Sequence, residues 1–96
     1  MKLSEATWDK INVLFPTAEQ QAVADFLVAE CGNNLPFCEN SDERALERIR
    51  FAVLKLSNGN LSELQRWVGE AQVDWRDVLM AAGFGRSLTA HTKWRL

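Results

Sequence analysis

The chain has 96 residues, enough for one hydrophobic core and no second domain. Apolar residues make up 47% and charged residues 25%, which is ordinary for a folded water-facing domain, and no apolar run approaches the roughly 18 residues of a membrane span. The net charge of −2 is uneven: residues 1–83 carry 8 basic and 13 acidic side chains, a balance of −5, while residues 84–96 carry Arg86, Lys93 and Arg95 without an acid, and an acidic body argues against broad nucleic-acid binding.

The first helix is expected over 5–15, capped by Ser4, with Trp8, Ile11 and Phe15 on one face. Glu5 and Asp9 lie where a secretory signal needs its apolar stretch, so a cytoplasmic chain is expected. Pro16 ends this helix, because the residue before a proline is pushed out of the helical region. A second helix follows over 18–31, with Thr17 and Gln20 at capping-box spacing, Val23, Phe26 and Leu27 inward, and Gly32 as its stop. Residues 33–40 read as a loop anchored by Leu35 and Phe37 on either side of Pro36.

The third helix, 42–57, organises the rest. Ala45, Leu46, Ile49, Ala52, Val53 and Leu56 form one wide stripe, and Phe51 and Leu54 fall outside it, so the second half is apolar nearly all round. The first half carries Asp42, Glu43, Arg44, Glu47, Arg48 and Arg50, which need water or partners. Ser57-Asn58-Gly59 is turn chemistry, since Asn and Gly tolerate positive φ. A fourth helix over 61–72 starts at Asn60, with Leu61, Leu64, Trp67, Val68 and Ala71 inward. A fifth over 75–83 starts at Asp74, with Trp75, Val78, Leu79 and Ala82 inward, and Gly83 followed by Phe84 closes it. A short sixth helix is expected over 88–94. Residues 1–96 thus read as a single all-α domain, a compact bundle of five helices plus a short C-terminal one.

Chemistry-bearing motifs are few. Cys31, Cys38 and His91, even with Glu39, lack the closely paired spacing of a zinc site, so neither a metal nor another cofactor is expected, and the cysteines are expected reduced. There is one histidine, no tyrosine, and no nucleophile-elbow, phosphate-loop or dinucleotide signature, so no catalytic set is assigned. The hairpin over 60–83 has the outline of a helix-turn-helix reader, but Arg76 is the lone cation in VDWRD, where Asp74 and Asp77 would face phosphates.

Trp8, Trp67 and Trp75 lie on apolar faces and read as core. Trp94, between Lys93 and Arg95, differs. Tryptophan and arginine are enriched at interface hot spots, so Arg86, His91, Trp94 and Arg95 form the candidate partner-binding set. The competing reading docks the tail on its own domain, with Leu88 and Trp94 buried and His91 a solvated or capping side chain.

The run from Phe51 to Phe84, with KLSNGNLSELQRWV and DWRDVLMAAGF, resembles small bacterial helical proteins of no assigned function. That resemblance implies a compact helical domain and transfers no activity, cofactor or functional residue. The leading expectation is a small cytoplasmic protein acting through contact with a protein partner, as adaptor, regulator or immunity-type inhibitor. The alternatives are DNA binding through residues 60–83 and a small enzyme or ligand-binding domain. A homodimer is a further expectation, because Phe51 or Leu54 would be one apolar residue too many for a single stripe.

Overall fold

A computed structural model describes residues 3–32, 35, 43–87 and 89–95. Its elements are α1 (Glu5–Leu14), α2 (Thr17–Glu30), α3 (Glu43–Ser57), α4 (Leu61–Ala82) and a C-terminal 3-10 turn (Ala90–Lys93). Among the described residues there is no strand, and no helix is long and apolar enough to cross a membrane. The expected helix start at 42, the loop anchor Phe37, and Cys38 with Glu39 lie outside the described residues. Leu35 is buried, as its anchoring role requires.

The ends of α1 follow its sequence. The Ser4 hydroxyl accepts from the Thr7 backbone N–H at 3.2 Å, and Phe15, before Pro16, is extended at φ −120° and ψ 145°. The second helix departs from expectation. Pro16 occupies its cap position without a side-chain cap, and Thr17 is already helical, so the Thr17–Gln20 capping box does not form. Gln20 instead donates through Nε2 to the Phe15 carbonyl at 3.0 Å, satisfying an acceptor where the chain leaves α1.

Helix α3 is the core element. It packs most extensively on α4 and also touches α1 and the 3-10 turn. Leu46, Ile49, Ala52, Val53, Phe51 and Leu54 are all buried. Phe51 and Leu54 are therefore covered within one copy of the chain. Arg50, one of the charges that need water or partners, is buried and takes a partner: its Nε donates to the Cys31 carbonyl at 2.9 Å. That carbonyl meets one of the five guanidinium donors.

Among the described residues four helices stand where five are expected. The anticipated helices at 61–72 and 75–83 are one element, α4, broken only at Asp74, where φ is −156° and ψ is 98°. Two helical segments thus meet at one extended residue, with no longer loop between them. The chain is recapped at once, since Asp74 Oδ1 accepts from the Arg76 backbone N–H at 3.1 Å. At the far end, Gly83 takes φ 82°, its N–H bonds the Met80 carbonyl, and the Phe84 N–H bonds the Leu79 carbonyl at 2.8 Å. This is the Schellman arrangement anticipated from Gly83-Phe84. Lys55 of α3 adds its ammonium to the Ala82 carbonyl at 2.9 Å, so it serves the negative end of α4 across the helix pair.

The tail also differs from expectation. In place of a helix over 88–94 there are four residues of 3-10 turn. The N–H groups of Ala90, Thr92 and Trp94 each reach back three residues, and the Thr92 hydroxyl takes the Thr89 carbonyl at 2.7 Å, which favours the tighter winding.

The kink makes a pH prediction. The Arg76 side chain, and then its backbone N–H, hold the Asp74 carboxyl below its ordinary 3.8. A carboxyl with a depressed folded pKa contributes stability that is full above its unfolded value and is lost as pH falls through the folded one. Hydrogen exchange over residues 75–82 is therefore expected to accelerate as pH drops below 3.8 by more than intrinsic exchange chemistry accounts for. Asp74→Ala should show the loosening at neutral pH and flatten the dependence. Unchanged exchange in that variant would remove the carboxylate from the kink's support.

Candidate functional site

Helices α1 and α3 are in contact, and the tail is bonded to both. The tail is held by long side chains from both. Lys10 Nζ donates to the Trp94 carbonyl at 2.8 Å, and Arg48 Nη1 donates to the Ser87 carbonyl at 2.8 Å. His91 Nε2 lies 3.3 Å from Glu47 Oε2. An ionised carboxylate only accepts, so Nε2 carries the ring proton. Glu47 Oε1 accepts from the Ser4 hydroxyl at 2.9 Å, which ties the start of α1 to the same carboxylate.

Aromatic packing completes the anchorage. The His91 ring meets Phe51 edge-on, with centroids 4.9 Å apart and planes at 87°. Trp94 packs on Phe51 at 5.8 Å and on Phe84 at 6.2 Å. Lys10 Nζ sits 4.9 Å from the centroid of the Trp94 ring, within cation–π range.

The four sequence-derived candidates part company here. His91 is neither solvated nor a cap: its side chain is wholly buried and acts as the peg of the tail. Trp94 is half-buried against the core. Arg95 is exposed, with Nη1 donating to the Thr92 carbonyl at 2.8 Å. Arg86 is exposed and stands outside the groove described next.

A groove of about 250 Å³ opens where the three elements meet. Ala6, Asp9 and Lys10 of α1 form one wall, Glu47 and Phe51 of α3 the second, and Thr92, Trp94 and Arg95 of the tail the third. It combines an aromatic surface with two acids and two bases. Three of those charges are engaged by hydrogen bonds within the chain, while Asp9 has no partner among the described residues. Comparison of the chain with protein families, characterised proteins and solved structures finds no match. The groove must be read from its own chemistry.

Ser4, Glu47 and His91 are not ordered as a hydrolytic relay. The carboxylate sits between hydroxyl and imidazole, so the imidazole is not placed to take the hydroxyl proton. Among the described residues no group of three His, Cys, Asp or Glu side chains has metal-site geometry. Of the metal candidates named from sequence, Cys31 lies in the core and His91 is held by Glu47.

Sequence reading missed Asp9, Lys10, Glu47 and Phe51 as groove residues. A local signal exists: Ala6 with Asp9 and Lys10, and Glu47 with Phe51, are helical neighbours at i,i+3 and i,i+4. Nothing in the order of residues says that these two edges face each other or that the tail closes them.

The carboxylate–imidazole contact carries a stability prediction. Glu47→Ala leaves a buried ring N–H without its acceptor, which costs about 1–3 kcal/mol. Glu47→Gln keeps an acceptor oxygen and should recover most of the loss. Urea denaturation of the two variants provides the comparison; equal losses would mean that charge, and not the hydrogen bond, holds the tail.

Proposed function

We propose that this protein acts by contact with a protein partner, as an adaptor, regulator or inhibitor in the cytoplasm, and that the groove between α1, α3 and the tail is its contact surface. The observation that supports this is the groove's composition: Trp94 and Phe51 beside Asp9, Lys10, Glu47 and Arg95 in about 250 Å³. That is space for one or two side chains of a partner. An aromatic floor with a charged rim is the anatomy of a small interface centre. Trp94 and Arg95 keep the role proposed for them, in a docked tail and not in a free arm. His91 contributes by fixing the tail, and Arg86, exposed and outside the lining, is not part of the proposed surface.

DNA reading through residues 60–83 is not the reading adopted: the lone cation of its VDWRD stretch, Arg76, is bonded to Asp74 at 3.1 Å. That proposal needs a tight turn between two helices, and Asp74 provides a single-residue kink. The homodimer proposal has likewise lost the uncovered Phe51 and Leu54 that motivated it.

The test is site-specific photo-crosslinking in the cells that make the protein. A photoreactive residue at Thr92, exposed on the groove's rim, should give a discrete cross-linked species, and one at Glu70, exposed on α4 outside the lining, should not. No species from position 92, or the same pattern from both positions, removes the groove as the contact surface.

A further inference from the structure

We infer that a second surface of this protein, a ridge of four cations on α3 and on the chain that leaves α4, docks a short acidic segment of a protein partner. The ridge lies outside the groove, whose lining contains none of the four.

Helical spacing builds most of it. Arg44, Arg48 and Lys55 share one face of α3 over three turns, roughly 16 Å. Two hydrogen bonds lay the chain that leaves α4 along this face. Lys55 Nζ donates to the Ala82 carbonyl at 2.9 Å, and Arg48 Nη1 donates to the Ser87 carbonyl at 2.8 Å. Arg86 immediately precedes the residue that Arg48 holds, which adds a fourth cation at the same place.

These cations lack counter-charge. Arg44 and Arg86 are exposed and bond nothing among the described residues. Arg48 and Lys55 each spend a donor on a carbonyl, which leaves their charge unneutralised and further donors in hand. No described carboxylate pairs with any of the four. Glu47, three residues after Arg44, turns Oε1 to Ser4 and Oε2 to His91. On α4, by contrast, Arg66 pairs with Glu63 at 3.0 Å and Arg76 with Asp74 at 3.1 Å. Like charges gathered without a counter-charge repel one another, and an anionic occupant relieves that repulsion.

Length and field select the class of anion. About five extended residues span the ridge, so a short acidic segment matches it in extent and sign. Nucleic acid or an anionic membrane carries its charge well past the ridge. There the rest of the chain has a balance of −6, the net −2 less these four cations, and repels it.

The experiment is an NMR titration of the full ¹⁵N-labelled chain at low salt with a blocked pentaglutamate peptide. Blocked pentalysine and a DNA duplex of two helical turns serve as comparisons. Pentaglutamate should shift the Nε–H resonances of Arg44 and Arg86 and the α3 amides along one saturable curve, and added salt should abolish the shifts. Arg44→Gln and Arg86→Gln should each weaken binding about threefold, the scale of one exposed ion pair. Arg66→Gln makes the same change in net charge away from the ridge and should leave binding unaltered. Pentalysine should produce no shift at the ridge, and the duplex should bind more weakly than the peptide. No saturable shift with pentaglutamate, an equal loss in Arg66→Gln, or tighter binding of the duplex would overturn the assignment. None of these readouts involves Thr92 or Trp94, so ridge and groove stand or fall separately.

Discussion

Replacing Phe51 with glutamate is expected to unfold the protein. Phe51 is only 3% exposed, and its ring is enclosed by His91 and Trp94 of the tail, with Lys10 Nζ 5.8 Å from its centroid. Removing a buried phenylalanine side chain costs about 3–5 kcal/mol, and taking an ionised carboxylate out of water costs several kcal/mol more. Lys10 offsets part of this, but it already bonds the Trp94 carbonyl. The sum is comparable to the roughly 5–15 kcal/mol that holds a small domain together. Far-UV circular dichroism and amide dispersion should both report a largely unfolded chain, whereas Phe51→Leu should stay folded with a loss of about 1–2 kcal/mol. The glutamate variant also addresses self-association. A wild-type dimer whose glutamate variant is a folded monomer would place Phe51 at a subunit boundary and contradict its burial under the tail.

The helical character of the chain was legible because it is written locally. Ser4, Asn60 and Gly83 each act at the position where their chemistry is needed, and Asn58-Gly59 turns the chain with φ values of 51° and 80°. The errors share a cause. Thr17 and Gln20 have capping-box spacing, yet the helix starts at Thr17 itself and Gln20 finds the Phe15 carbonyl. Asp74 does behave as a cap, but it recaps within one residue and leaves a kink in α4 instead of a loop between helices. Arg50 and His91 look like surface residues by type and are buried by tertiary partners, the Cys31 carbonyl and Glu47, which lie 19 and 44 residues away in the chain. Periodicity ranks faces by composition and has no means of pairing one face with another. The groove depends on such pairings throughout: α1 against α3, and the tail across both. Sequence therefore singled out Trp94 and Arg95 by their aromatic–basic setting and was silent on Asp9 and Glu47 facing them.

Gly59→Ala carries the second largest effect. Gly59 sits at φ +80°, and a Cβ built on it would lie 2.6 Å from the Leu14 carbonyl oxygen. The left-handed conformation alone costs an L-residue about 1–2 kcal/mol. The obstacle is backbone and not the end of a flexible side chain, so either α1 or the turn must move, and a total loss of about 2–4 kcal/mol is expected. The turn has little freedom, because Ser57 is buried with its hydroxyl donating to the Leu54 carbonyl at 2.7 Å and accepting from the Gly59 N–H at 3.3 Å. The displacement should fall on α1. That helix is ten residues long, roughly 15 Å, and the turns before Leu14 carry Ala6, Asp9 and Lys10 into the groove wall. Gly59→Ala is thus expected to lower the urea midpoint and also to shift the Trp94 indole N–H resonance, although the substitution lies outside the groove. Asn58→Gly, at the exposed neighbouring position with φ 51°, relieves strain and should leave both nearly unchanged. If Gly59→Ala loses stability while the Trp94 resonance stays in place, the turn has yielded and α1 has not, and the wall formed by Asp9 and Lys10 is then fixed by the tail and α3 alone.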